Sequence, residues 1–245
     1  MNILKLGDTH TGHPNYREDL VEKALKEIKS RPNWRIMIMG DLTEMALKSS
    51  VGDTYNQTMT PEQQIDYWYS KLAPLKERII GFVGSNHNQR AVRQVGMNPA
   101  RMLCKRLYRD EYKSYFFKYK VLVKYAFNKG TIEDLNWHGS RSSINWRTNL
   151  KYIWDQHETV EADIYSMGHT HQLLDDDTRV RFVGDGRNMK LNKKRYYLVN
   201  TGSALEWHDG YAEQKDKEPV LLGFPIIRLT GERGNQEVHV DKITE

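Results

Sequence analysis

Apolar residues recur along this chain with two periods, and the periods set out an order of strands and helices. Asn2 to Gly7 is a short, nearly apolar run that reads as a buried strand and ends in a turn rich in His, Gly and Pro. From Tyr16 to Ser30 the residues Leu20, Val21, Ala24, Leu25 and Ile28 share one face at helical spacing, and Arg35 to Met39 reads as a second strand. Strand, helix and strand in this order predict a right-handed crossover with parallel pairing. The polar stretch Lys48 to Thr60 reads as a long loop. Pro61 opens a helix reaching about Leu72, and Arg78 to Val83 gives a third strand that ends at Gly84. Asn98 and Pro99 form the cap and first turn of a helix to about Tyr108. From Tyr115 to Tyr125 aromatic and β-branched residues alternate with lysines, the pattern of one half-buried strand that starts a second sheet. Short strands are expected at Ile132 to Trp137, Ala162 to Met167, Arg179 to Val183, Arg195 to Asn200, Phe224 to Leu229 and Glu237 to Asp241, interrupted by a helix from about Trp146 to His157. No repeat or flexible linker divides the chain, so residues 1–245 are expected to form a single α/β domain.

Composition narrows the chemistry. Of the 245 residues 38% are hydrophobic and 11% aromatic, enough for a core under a polar surface. The longest nearly apolar stretch, Val220 to Ile227, is broken by Gly223 and Pro225 and is far too short to span a bilayer, so no membrane partner is expected. Lys5 and Asp8 interrupt the N-terminal apolar residues before a signal-peptide core forms, which predicts a cytoplasmic protein. The single Cys104 excludes internal disulfides and thiolate clusters, leaving His, Asp, Glu and Asn to hold any metal.

Those residue types gather at predicted strand ends: Gly7-Asp8-Thr9-His10, Gly40-Asp41, Asn86-His87, His138-Gly139 and Gly168-His169-Thr170-His171. In sheets with parallel strands ligands bind outside the carboxyl ends, so these segments are expected on one rim. Their oxygen and nitrogen donors suit Mn, Fe, Zn or Ni. Asp8 and His10, like His169 and His171, are two apart, and in an extended chain such a pair points to one side and grips one site. Singly, each element has a plainer explanation, because Asp after Gly at a strand end is common turn chemistry. Five in order, each at a strand end, favour metal binding.

The order D-x-H, G-D, N-H, H-G, G-H-x-H resembles the calcineurin-like metallophosphoesterase family. The run Gln64 to Arg90, Asp163-Ile164-Tyr165 and Asn200-Thr201-Gly202-Ser203 are similar to versions encoded by phages and prophages. The resemblance implies a four-layer αββα sandwich of two packed mixed sheets and two divalent ions roughly 3.5–4 Å apart, Mn foremost, with Fe, Zn or Ni as alternatives. Asp8, His10, Asp41 and His171 would hold the first ion. Asp41 would bridge, and Asn86, His138 and His169 would complete the second site. A hydroxide bridging the ions would attack phosphorus while His87 protonates the leaving oxygen. Where the family reads G-N-H-E or G-N-H-D, this chain has Gly84-Ser85-Asn86-His87-Asn88. The extra Ser85 lengthens the turn and Asn88 lacks the charge that would orient His87.

Substrate signals are weaker. Arg90 and Arg93 follow the N-H motif and are candidate phosphate clamps, and His13 lies in the first rim loop, where a solvated role is the simpler reading. Arg101 to Lys129 holds nine basic residues against two acidic ones, and Arg179 to Arg195 seven against Asp185, a pattern that attracts polyanions or merely solvates a face. The expected activity is hydrolysis of a phosphodiester of nucleotide or nucleic-acid origin, with DNA or RNA as candidate partners and a nuclease as one form of it. The alternatives are a phosphomonoesterase and a nucleic-acid-binding module with a silent metal site.

Overall fold

The computed structural model describes residues 1–47, 54–127, 130–185, 190–208, 213, 218–232 and 235–245. Its strands are β1 (Asn2–Leu6), β2 (Trp34–Ile38), β3 (Ile79–Val83), β4 (Phe116–Phe117), β5 (Lys120–Phe127), β6 (Gly130–Trp137), β7 (Ile164–Met167), β8 (Leu173–Asp185), β9 (Lys190–Thr201), β10 (Gly223–Glu232) and β11 (Asn235–Thr244). The helices are α1 (Glu18–Ser30), α2 (Pro61–Leu72), α3 (Asn86–Val95), α4 (Pro99–Tyr108) and α5 (Trp146–Trp154). Two sheets form, in the orders β11-β10-β1-β2-β3-β4 and β5-β6-β7-β9-β8. Each is mixed. In the first, β1, β2, β3 and β4 run parallel, β10 pairs antiparallel to β1, and β11 pairs antiparallel to β10; in the second, β6, β7 and β9 run parallel with antiparallel β5 and β8 at the edges.

Three apolar clusters account for four layers. Leu20, Val21, Leu25 and Ile28 of α1, Trp68 and Leu72 of α2, and Leu103 and Leu107 of α4 pack on one face of the first sheet. Ile3, Met37, Met39, Val83 and Ile227 of its other face meet Tyr125, Ile132, Ile164 and Val199 of the second sheet. Leu150 and Ile153 of α5 cover the outer face of that sheet. This is the expected αββα sandwich.

The alternating run Tyr115 to Tyr125 is not one strand. Phe116 and Phe117 pair with Phe82 and Val83 at the edge of the first sheet, and Lys120 onward pairs with β6 in the second, with the crossing at Lys118 and Tyr119. A period of two reports only that a segment is half buried, and both pieces are. Helix α3 was not expected either, because Ala91 and Asn88 are its only buried residues and no apolar stripe announces it. Within the expected long loop, residues 48–53 lie outside those described; Thr54–Asn56 form a short 3-10 turn.

Trp68 links the helical layer to the rim. It is fully buried, and its Nε1 donates to Thr11 Oγ1 at 3.0 Å and to the Leu42 carbonyl at 2.9 Å, one acceptor from each of the loops that follow β1 and β2. Replacing Trp68 with Phe keeps most of the packing but removes both hydrogen bonds, while the Leu42 carbonyl keeps the Thr11 N–H and the Thr9 hydroxyl as donors; it should lower the unfolding free energy by about 1–3 kcal/mol. Trp68→Ala should cost about 3–5 kcal/mol. Urea titrations of both variants, compared at equal slope, check the order.

Candidate metal centre

All five predicted segments follow strands, at the carboxyl ends of β1, β2, β3, β6 and β7, and they meet at one end of the seam between the sheets. The loops after β1 and β2 are tied together: Asp8 N–H donates to the Gly40 carbonyl, Thr9 and His10 N–H to Asp41, Thr11 to Leu42, and Glu44 back to Thr11, all at 3.0 Å. Five of the seven described non-glycine residues with positive φ are here: Asp8, His10, Asp41, His169 and His171, between 45° and 72°. An L-residue in this region costs roughly 1–2 kcal/mol, so the loops hold their shape only because this network determines it.

The donor atoms fall into compact groups. Asp8, His10 and His171 form one and Asp41, His138 and His169 another, with the atoms of each within 4.8 Å of one another. His169 and His171 therefore divide between the groups instead of gripping one site. The extended-chain premise fails at both residues, whose φ lies in the left-handed region; Asp8 and His10 depart from it in the same way yet stay in one group. Asn86 joins the second group, its Oδ1 lying 2.9 Å from His138 Nε2. Asp8 is fully buried and is held from the second sheet: the His169 N–H donates to its two oxygens at 3.1 and 3.0 Å, and Thr201 Oγ1 to Oδ2 at 3.4 Å. Ser203 Oγ donates to its carbonyl at 3.0 Å.

The electrostatics are those of buried anions among imidazoles. Burial, helped by Asp41, pushes the Asp8 carboxyl up to about 6 despite His138 and His10. Burial acts against charge on His138, but Asp41 and Asp8 outweigh it and raise that imidazole to about 9. His169 is pushed down to about 4, first by burial and then by repulsion from His138. Asp41 opposes its own burial by facing His87, His138 and His10 and stays well below the usual carboxylate range.

Glu44, which the motif reading passed over, joins two of the histidines. Its Oε2 lies 2.8 Å from His10 Nδ1, and its carbonyl accepts from His87 Nδ1 at 2.9 Å. Its position three residues after Asp41 is the only sequence signal for it. The departure at Ser85 and Asn88 also has a structural account. Ser85 caps α3, its Oγ accepting the Asn88 N–H, while Asn88 Oδ1 accepts the Ser85 N–H, both at 3.3 Å. Asn88 is buried in that cap, and the Glu44 carbonyl orients His87.

Of the candidate substrate residues, Arg90 is half-buried one helical turn beyond His87, Arg93 is exposed a further turn away, and His13 is half-buried in the loop after β1. The two basic runs separate. Met167, at the rim end of β7, pairs with Asn200, so Arg195 and the hairpin before it lie at least about 15 Å down β9, toward the opposite end. Arg187 and Lys129 lie outside the described residues. The Lys118 backbone abuts Gly84 at the rim, Lys120 Nζ bonds Gln156, and Lys124 pairs with Glu133 at 2.6 Å.

No family model matches the chain, and no curated protein matches it. Among solved structures it is similar to Vps29 from Chaetomium thermophilum (16% identity over 99% of this chain and 95% of that one, TM-score 0.47). It is similar also to a Vps29 double mutant from Entamoeba histolytica (13%, 100% and 99%, TM-score 0.48) and a metallophosphoesterase from Sphaerobacter thermophilus (13%, 93% and 84%, TM-score 0.44).

Gly40 tests how little room the centre has. Its φ is +94°, and a Cβ there would come 2.7 Å from His138 Nδ1 and 2.9 Å from the Ser85 Cβ. Gly40→Ala should displace His138 and weaken binding of Mn²⁺ measured by calorimetry. Unchanged affinity would show that the ring has slack.

Proposed function

We propose that this chain is a phosphoesterase that hydrolyses phosphodiesters of nucleotide or nucleic-acid origin at two adjacent divalent-ion sites. One observation supports it above the rest. His138 Nδ1 lies 2.9 Å from the Met39 carbonyl, which can only accept, so that nitrogen carries the proton. Its Nε2 then faces Asp41 Oδ2 at 3.0 Å and Asn86 Oδ1 at 2.9 Å. Three electron-pair donors converge with no hydrogen of their own between them, an arrangement that calls for a cation. In the metal-free chain a second proton on His138 serves, which accounts for its raised pKa. Asp41 Oδ1, buried without a hydrogen-bond partner among the described residues, adds a free donor beside it.

In this reading Asp8, His10 and His171 would hold one ion and Asn86, His138 and His169 the other, with Asp41 between them. Mn²⁺ is the first candidate, and Fe, Zn or Ni suit the same donors. The ions, when bound, supply Lewis acidity toward phosphate oxygens and a water of lowered pKa. The remaining work falls to side chains. The Glu44 carbonyl fixes the Nδ1 proton of His87 and turns Nε2 into the site, 4.0 Å from Asp41 Oδ2, where a protonated ring can donate to the leaving oxygen. Arg90 is the nearer of the two arginines for a phosphate oxygen, and His13 is the neighbour on the β1 side.

Asp41→Asn should reduce occupancy of both ion sites together in anomalous scattering, and retention of both ions with full activity would remove the bridging role. His87→Ala should keep ion binding yet slow esters with basic leaving alkoxides by about 10²- to 10⁴-fold, with nitrophenyl esters less affected. Equal losses would point to lost geometry.

Nucleic-acid preference is tested by comparing the two ends of the molecule. Charge reversal of Lys118 and Arg90 at the rim should raise KM for DNA or RNA and flatten a salt dependence of about −0.9 per duplex phosphate contacted. The same change at Arg181 and Lys193, on the far hairpin, should alter neither. If the rim variants leave KM and salt slope unchanged, the substrate is a small phosphate ester and the monoesterase reading takes precedence.

A further inference from the structure

One layer beneath the candidate metal centre, the apolar seam between the sheets is interrupted by a fully buried polar group. Lys5 of β1 reaches across the seam, and its Nζ bonds Asp134 Oδ2 and Asn136 Oδ1, both on β6 of the other sheet. Asp134 also accepts Tyr125 OH at 3.2 Å and Ser166 Oγ at 3.1 Å, and Asn136 Nδ2 donates to the Asp134 carbonyl at 2.8 Å. Lys5, Asp134, Asn136 and Ser166 are all completely excluded from solvent. The proposed reaction uses none of them.

Their placement is what gives them a role. Lys5 is three residues before Asp8, Asn136 two before His138, and Ser166 three before His169. Around them the sheets touch through Ile3, Met37, Met39 and Val83 on one side and Ile132, Ile164 and Val199 on the other. Apolar contact has no preferred direction and tolerates small slides of one sheet over the other. A hydrogen-bonded ion pair does not, because its geometry fails within a few tenths of an ångström. Both donor groups of the rim combine residues from the two sheets: Asp8 and His10 with His171, and Asp41 and Asn86 with His138 and His169. A slide of about 1 Å would take them out of ligand geometry.

We propose that Lys5, Asp134 and Asn136 act as a registration pin between the sheets, so that Lys5 is a positioning residue for divalent-ion binding at the rim. This rests on the reading of the rim as a two-ion centre. A buried ion pair stabilises little relative to an apolar or neutral replacement of both partners, whereas it does specify a unique arrangement in some proteins. Stability and register can therefore be separated by experiment.

The variant Lys5→Met/Asp134→Asn removes both charges together and leaves an amide for Tyr125 and Ser166, while cutting the principal bond across the seam. Asn136→Leu removes only the second cross-seam bond and leaves the ion pair. Each is compared with the full wild-type chain by thermal melting without metal, Mn²⁺ calorimetry and Mn²⁺ electron paramagnetic resonance. The double variant should melt close to wild type, bind Mn²⁺ about 10-fold or more weaker, and lose the spectral signature of a coupled ion pair; Asn136→Leu should show a smaller loss. If the double variant fails to fold, Asn136→Leu decides. Wild-type affinity and an unchanged spectrum in the folded variants would overturn the pin, leaving the network as satisfied core polarity. A wild-type chain that takes up no Mn²⁺ would instead overturn the metal-centre reading beneath it.

Discussion

Two carboxylates, Asp8 and Asp41, are buried side by side where the sheets meet, and the rest of the rim follows from the cost of keeping them there. Neither is more than 1% exposed, and each raises the energy of the other's charge. An uncompensated buried carboxylate costs several kcal/mol, so the fold surrounds this pair with whatever can bear positive charge or donate a hydrogen. His138 stands between them, the His169 N–H and Thr201 hydroxyl serve Asp8, and His87 faces Asp41. Every group in that list except His87 belongs to the second sheet or the segment following one of its strands. The same repulsion that makes the pair expensive is what a divalent cation, in the proposed reading, would relieve.

Holding such a cluster also requires a backbone that side-chain preference would not choose. Five left-handed residues at roughly 1–2 kcal/mol each amount to a strain comparable with the whole net stability of an ordinary domain. That strain is tolerable because the loops after β1 and β2 bond to each other through main-chain groups, and Trp68 closes both from behind. The donors are consequently aimed before any ligand arrives. A site organised in advance loses little entropy on binding.

Much of this was legible in the sequence, for reasons that differ by level. Strands β1, β2 and β3 and helices α1, α2 and α4 showed because each buries one face or lies wholly inside, so apolar spacing reports them. Helix α3 did not show, because its polar residues are held by a cap at Ser85 and Asn88 and by the rim, not by an apolar stripe. The crossing at Lys118 was equally silent: two short strands in different sheets can share one continuous alternation. At the centre, residue types and order located the donors, but spacing misassigned the pairing of His169 and His171, since that inference assumes an extended chain. Glu44 carries no mark of its own beyond proximity to Asp41. Lys5 appeared in the sequence only as an interruption of an apolar strand, although in three dimensions it meets a carboxylate from a strand more than a hundred residues away.

Exposure within the centre is graded, and the gradient gives the proposed chemistry a direction. The side chains of His138, Asp8 and Asp41 are at most 1% exposed, His10 is 5%, His87 15% and His171 30%. The deep half therefore consists of the carboxylates and His138, and the open half of His171 and His87, with His13 and Arg90 beyond. In the proposed reaction a phosphate ester enters from this open half. Phosphorus would then lie toward the carboxylate pair, with the leaving group on the side of His87. In that reading the histidine would stand beside the oxygen that must gain a proton, with Arg90 one helical turn beyond it.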